Sequence, residues 1–333
     1  MMETEDQSEL CFPQISNISC RKPTSHWSEG VLLTVLLYII CIFTVVLNLL
    51  VIISVSHFRK LHTPTNLLLL SLAVSDLLVG FFLWPGEIYL RTSCWTLGDV
   101  VCSLYNFSSF IVTSASVGNM VLISADRYVA ICDPLHYNTK VTVKRIQLCV
   151  CLCWFFALLY SSAILKDDLT HPGKYKSCHG ECVIVIDYYA GVVDLVVSFI
   201  LPLSIIITLY MRVFVVAVSQ ARAMRSHVTS VKLQHSVTVR AKKSELKAAR
   251  TLGVLVLVFL MCFCPYYIVT LAGDSLLSAL FATYVLNVYY LNSCLNPLIY
   301  ALFYPWFRRA VEHILTLHIL QPGSSGRNIL QTS

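Results

Sequence analysis

Charge is scarce in this chain. Of its 333 residues only 13% are Asp, Glu, Lys or Arg, against roughly 25% in an ordinary soluble domain, while 57% are hydrophobic. That shortage argues against a water-soluble globular protein. Strand-type alternation of apolar and polar residues is also missing, which argues against a transmembrane β-barrel. There is no glycine-rich loop to cradle phosphate, and no nucleophile has a base beside it. His26, His57, His62, His136, His171, His179, His227, His235, His313 and His318 sit in loops, tails or at the edges of apolar runs, without metal-ligand spacing on a helix. These absences exclude an enzyme and call for no cofactor. A transporter is disfavoured too, since no inverted repeat is visible and the apolar runs are odd in number.

What is present is seven apolar stretches, at 31–56, 66–90, 101–132, 146–165, 188–217, 248–272 and 277–304. Each is long enough for a helix to cross the ~30 Å hydrocarbon layer. The expected fold is an all-α membrane protein, a bundle of seven transmembrane helices with a short amphipathic cytoplasmic helix. The segments are an outer tail (1–30), the bundle (31–304), the membrane-surface helix (305–318) and a cytoplasmic tail (319–333).

Orientation follows from the basic residues. His57, Arg59, Lys60 and His62 follow the first run with no acid among them. Residues 219–247 carry Arg222, Arg225, Lys232, Arg240, Lys242, Lys243 and Lys247 against Glu245 alone. The first thirty residues carry Glu3, Glu5, Asp6, Glu9 and Glu29 against Arg21 and Lys22. Lys and Arg stay cytoplasmic, so the amino terminus lies outside. The net charge of +6 is this inner collar, suited to anionic lipid and an acidic cytosolic partner and no evidence for nucleic acid. No cleavable signal peptide is expected, because the first apolar run is a full span without a small-residue cleavage site before it. Six cysteines (Cys11, Cys20, Cys94, Cys102, Cys178, Cys182) fall on the outer side, where disulfides persist. Asn17-Ile18-Ser19 is a glycosylation sequon in the right compartment; Asn106-Phe107-Ser108 lies within a span and is discounted.

Polar residues inside the spans are the functional candidates. Asp76 lies deep in the second, and Ser116, Asn292, Ser293 and Asn296 can surround it with oxygen. That cluster holds either a small cation such as Na⁺ or a hydrogen-bonded network without an ion. Asp126, Arg127 and Tyr128 stand where the third span leaves the apolar layer, as a charge switch or as an ion pair reaching for water. Trp154 packs between helices. Pro202, Pro265 and Pro297 each remove a backbone hydrogen bond, which makes kinks or hinges. Tyr210 and Tyr300 sit at similar depth and either meet near the inner mouth or simply pack. After Pro305, Trp306, Phe307, Ile314 and Leu315 line one side of a short helix whose Arg308 and Arg309 face the headgroups. No cysteine follows for palmitoyl anchoring.

Asn48, LAVSD around Asp76, Asp126-Arg127-Tyr128, Trp154, Pro202, Pro265 and NPLIY ending at Tyr300 occur in order, one or two per span. This set resembles the rhodopsin-like G-protein-coupled receptors over residues 31–316. HFRKLHTPTN (57–66), DRYVAICDPLHY (126–137), KAARTLG (247–253) and NSCLNPLIYALFYPWF (292–307) resemble the trace amine-associated receptors, a mostly olfactory group. The resemblance implies a small-molecule amine ligand, a stimulatory G protein, a rise in cyclic AMP, and a plasma-membrane site that includes olfactory cilia. It also implies disulfides from Cys102 to Cys182 and from Cys178 to a tail cysteine, Cys20 ahead of Cys11. Arg127 would be held at rest by Asp126 and by Glu245.

Two departures stand out. Amine receptors place an aspartate in the outer half of the third helix, and that position here is Ser109. Asp194, two turns above Pro202, is a lone acid in an apolar run, and the arrangement resembles fish members whose counter-ion lies on the fifth helix. Its alternative role is an Asp bonded to neighbouring hydroxyls. Glu87 and Asp274 are the other outer-half acids; a diamine could bridge Glu87 and Asp194, whereas a monoamine needs only Asp194. Tyr266, Tyr267 and Tyr290 supply aromatic walls for a cation, or ordinary packing. The second departure is Phe263, where the family usually has tryptophan. The rival reading is a rhodopsin-like receptor for a non-amine ligand.

Overall fold

The structure is a computed structural model, and it describes residues 9–22, 27–228, 253–269 and 279–326. Glu245, Asp274 and most of the basic 219–247 segment lie outside the described residues. The chain forms α1 (Trp27–His57), α2 (Pro64–Thr92), α3 (Asp99–Cys132) and α4 (Val143–Ile164). Next come α5 (Tyr188–Asp194 continuing through Leu201–Val228), α6 (Gly253–Val269), α7 (Ala279–Phe303) and the short α8 (Pro305–Leu315). Helices α1 to α5 are each long and apolar enough to cross a membrane.

Local chemistry sets the ends. Thr63 caps α2 by accepting from the Asn66 amide at 3.3 Å, with Pro64 at the first helical position. Asp187 caps α5 through the amides of Tyr189 (2.9 Å) and Ala190 (3.1 Å). Two π turns interrupt the ladder. Val79–Leu83 precedes Pro85, and Leu195–Ile200 precedes Pro202. Proline has no N–H and clashes with the carbonyl four residues back, and a widened turn relieves both faults.

Apolar side chains both cover the outside of the helices and fill most of the interior, while the polar groups of the spans turn inward. Leu32, Phe43, Phe81, Phe156, Leu201, Phe214 and Met261 are exposed, as a lipid-facing surface requires. Leu68, Leu69, Leu72, Met120, Phe259 and Tyr300 are buried in one continuous core. The Trp154 indole donates to Ser71 Oγ at 3.1 Å, tying α4 to α2. Trp306, Phe307 and Ala310 of α8 bury one side of that helix against the bundle.

A knot of disulfides covers the outer face: Cys102–Cys182, Cys20–Cys178 and Cys11–Cys94. The last pair is one that sequence reading did not name. The tail lies on the loop before α5, with the Cys20 amide donating to His179 O (2.9 Å) and the Trp95 amide to Gly180 O (2.8 Å). Gly180 has φ of +110°, and a side chain there would press on Cys11 and Phe12. Asn17 is exposed in a turn of the same tail.

Candidate functional site

A cavity of about 60 Å³ opens among α3, α5, α6 and α7. Helix α3 contributes Ser109, Phe110, Thr113, Ser114 and Val117; α5 contributes Asp194 and Ser198. Tyr266 and Tyr267 come from α6, and Leu286, Tyr289 and Tyr290 from α7. The volume is well below the ~300–1,000 Å³ of typical ligand clefts, so its contents are small or the walls part on binding.

Among the described residues Asp194 is the only carboxylate on the wall. Its Oδ1 accepts from the Tyr160 hydroxyl of α4 (2.6 Å) and from Ser198 Oγ (2.9 Å). Both readings of this residue therefore describe the same side chain: it is bonded to hydroxyls and it faces the cavity. The π turn begins at the next residue, so the register of α5 changes directly beneath Asp194. Across the cavity, Ser109 Oγ and the Tyr290 hydroxyl lie 3.1 Å apart.

The aromatic wall is continuous. Tyr267 stacks on Phe199 (4.3 Å) and meets Tyr266 edge-on (5.2 Å). Tyr266 touches Tyr289 (4.9 Å), and Tyr289 meets Tyr290 edge-on (5.7 Å). Phe263 is not on the wall. It packs on Tyr289 (4.3 Å) and Phe259 (4.2 Å), one layer from the cavity.

Glu87 is also absent from the wall. Its Oε1 takes a hydrogen bond from Tyr105 (3.1 Å), whose ring lies so close to Gly86 that a Cβ there would collide with it. Arg91, one turn further along α2, donates to Asn287 Oδ1 at 3.1 Å. Glu87 is therefore not among the residues that line this cavity with Asp194.

Deeper in the bundle, Asp76 is fully buried and Oδ2 accepts from Asn296 Nδ2 at 2.8 Å. Asp76 Oδ1 and the side-chain oxygens of Asn48, Asn292 and Asn296 are buried and have no hydrogen-bond partner among the described residues. Ser116 and Ser293 are buried with them. Asn48 spends its amide instead on the carbonyls of Thr44 (2.9 Å) and Ser293 (3.0 Å). Orphaned buried oxygens are costly, and a hard cation satisfies several at once, so the donor set fits Na⁺.

At the inner end, Asp126 Oδ2 accepts from Arg127 Nε (3.0 Å) and Nη2 (2.6 Å) and from Thr65 Oγ (2.9 Å). Its Oδ1 accepts from the Tyr137 hydroxyl at 2.8 Å. Arg127 also touches Thr65. Tyr128 turns away, toward Ile131 of its own helix and Val213 of α5. Beyond α3, Lys140 (2.7 Å) and His136 (2.7 Å) flank Asp133 and hold its carboxyl down at about 2. Among the described residues no hydrogen bond or ring contact joins Tyr210 and Tyr300. The Tyr210 hydroxyl lies against Gly253 of α6, and the Tyr300 hydroxyl is buried with no hydrogen-bond partner among the described residues.

The family pattern described as 7 transmembrane receptor (rhodopsin family) matches residues 47–300. The chain belongs to this family of G-protein-coupled receptors. Within it the chain is similar to the trace amine-associated receptors along nearly its whole length. It is 36% identical to trace amine-associated receptor 13c of Danio rerio, covering 97% of each chain. To trace amine-associated receptor 8a of Rattus norvegicus it is 39% identical, over 95% of each. To trace amine-associated receptor 1 of Mus musculus it is 37% identical, over 95% of this chain and 98% of that one. The receptor is thus a multi-pass membrane protein of a non-enzymatic family, with a ligand and a G protein as its partners.

Of the residues singled out by sequence, the receptor's cavity collects Asp194, Ser109, Tyr266, Tyr267 and Tyr290 and leaves out Glu87 and Phe263. Sequence reasoning missed Phe110, Thr113, Ser114, Val117, Ser198, Leu286 and Tyr289. Ser198 was findable, being one helical turn from Asp194. Tyr160 gave no signal, because its contact with Asp194 spans 34 positions.

Proposed function

We propose that the receptor senses small amines, with the ligand ammonium held at Asp194. One observation carries the reading: among the described residues Asp194 is the sole carboxylate on the cavity wall, which it shares with the Ser109 that stands in the usual counter-ion position. A desolvated cation needs a formal negative charge, and Ser109 with Tyr290 supplies only hydroxyls. Tyr266, Tyr267 and Tyr290 add ring faces that attract cations. The small cavity and the hydrogen-bonded Glu87 favour a monoamine.

Binding links α5 to α6 and α7 and favours the state in which α5 moves inward and α6 swings out about Pro265. Only differential affinity for the two states can drive that shift. At the inner end Arg127 leaves Asp126 for the G protein, with Tyr128, Tyr210, Tyr300 and Glu245 as the remaining switch residues. Asp76, Ser116, Asn292, Ser293 and Asn296 hold Na⁺ in the resting state. Coupling is to a stimulatory or olfactory G protein that raises cyclic AMP, at the plasma membrane of a sensory cell and its cilia. Asn17 carries a glycan.

A panel of mono-, di- and polyamines set against acids, lipids and peptides, read as cyclic AMP in transfected cells, tests this. Activation by monoamines is expected. Activation by acids or lipids with silence toward every amine would refute the amine reading.

A further inference from the structure

Asp194 is not presented to the cavity as a bare carboxylate. Both hydrogen bonds it receives fall on one oxygen, Oδ1, from Tyr160 at 2.6 Å and Ser198 at 2.9 Å. Ser198 Oγ also lies 3.0 Å from the Tyr160 oxygen. A serine hydroxyl has one proton, and the charged acceptor takes it in preference to the phenol. Tyr160 keeps its own proton for Asp194. The tyrosine is half-buried, stacked parallel on Phe156 at 5.9 Å, and it does not line the cavity. Among the described residues, none donates to Oδ2.

We infer that Tyr160, a positioning residue outside the ligand's reach, fixes the chemical class of cation the site accepts: ammonium ions in preference to guanidinium and amidinium ions. The inference rests on the amine reading above and narrows it. An ammonium is a compact point charge whose three N–H donors point in different directions, so one free carboxylate oxygen plus the ring faces of Tyr266 and Tyr267 can serve it. A guanidinium binds a carboxylate best through a planar fork that uses both oxygens. With Oδ1 already occupied by two donors, that fork cannot form without displacing Tyr160 or Ser198. A hydrogen bond to a charged group contributes roughly 1.5–3 kcal/mol, which corresponds to about 10- to 100-fold in potency.

The test compares matched pairs, an alkylamine and the guanidine of the same carbon skeleton, by cyclic AMP dose–response with surface expression measured in parallel. The native receptor should prefer the amine by at least about tenfold. Tyr160→Phe, which keeps the ring stack, should narrow that preference several-fold. Tyr160→Phe with Ser198→Ala should narrow it by about tenfold or more. Because the readout is a ratio of two ligands on one receptor, a change in receptor number or general fitness does not mimic it. An unchanged ratio in all variants, or a native receptor that prefers the guanidine, would overturn the inference. Asp194→Asn separates the two levels: loss of both ligands leaves the amine reading standing whatever the ratio does, whereas persistent responses sink that reading.

Discussion

Tyr137→Phe removes one hydroxyl and should raise basal signalling. In the structure Asp126 is completely shielded from solvent and accepts four hydrogen bonds, two from Arg127 and one each from Thr65 and Tyr137. The Tyr137 hydroxyl is 2.8 Å from Oδ1, the oxygen that Arg127 leaves free. Losing a hydrogen bond to a buried charged group costs about 1.5–3 kcal/mol, and here the cost falls on the state in which Arg127 and Asp126 are paired. If the active state lacks this contact, the resting-to-active ratio drops by roughly tenfold or more, since each 1.4 kcal/mol is a factor of ten. Asp126→Asn would be the cruder perturbation, because it leaves Arg127, itself mostly buried, without its counter-ion and so threatens folding. Tyr137→Phe keeps the ion pair. Basal cyclic AMP normalised to surface receptor is the assay, with Thr65→Val as a second variant that removes another donor to the same carboxylate together with an acceptor for Arg127. Both variants should raise basal signal. No change in either, at matched surface levels, would mean that these bonds survive activation or contribute nothing to the resting state.

Further expectations follow from the same geometry. Gly253→Ala places a methyl where the Tyr210 hydroxyl now sits; overpacking of this kind costs about 1–3 kcal/mol, so a lower melting temperature and a higher basal signal are expected. Tyr210→Phe in that background should restore part of the loss, and a variant as stable as the native receptor would show that the α5–α6 seam is looser than described. Replacing NaCl with KCl should raise amine potency in the native receptor and leave Asp76→Asn unaffected; equal salt sensitivity in both would remove Na⁺ from the buried oxygen cluster. Peptide mapping without reduction should recover Cys11–Cys94, Cys20–Cys178 and Cys102–Cys182, and any crossed pairing contradicts the outer knot. For Asp133 the carboxyl is held at about 2, below its ordinary ~3.9, by Lys140 first and His136 second. A depressed acid contributes stability that is full above about 4 and lost only as pH falls through about 2. An infrared difference spectrum against Asp133→Asn should therefore place the carboxyl titration at about pH 2, and a titration at about pH 4 would contradict the pairing.

The bundle was legible because lipid imposes a simple rule: long apolar helices with charges at their ends, which composition alone reveals. Polar residues inside those helices were equally conspicuous. Asp76 and Asp194 stood out as acids in apolar runs, and both prove to sit where helices converge. What sequence could not show was direction. Whether Glu87 faced the cavity depended on Tyr105, eighteen residues away, which claims its carboxylate through the gap left by Gly86. The π turn under Asp194 was hidden as well; Pro202 promised a kink, but not the extra residue per turn that alters the register of the segment above it. Disulfide partners were legible only as far as the family resemblance reached. Cys11 and Cys94 lie 83 positions apart, and their pairing depends on how the tail folds over Gly180.

The central claim is that a single carboxylate on α5 recognises the ligand. Asp194→Asn preserves the shape of the side chain and removes its charge, while Tyr160 and Ser198 can still donate to the amide oxygen. The account predicts that this variant reaches the cell surface at native levels and loses its amine response, with potency falling at least about a hundredfold. An unshifted dose–response curve from the same surface population would contradict it.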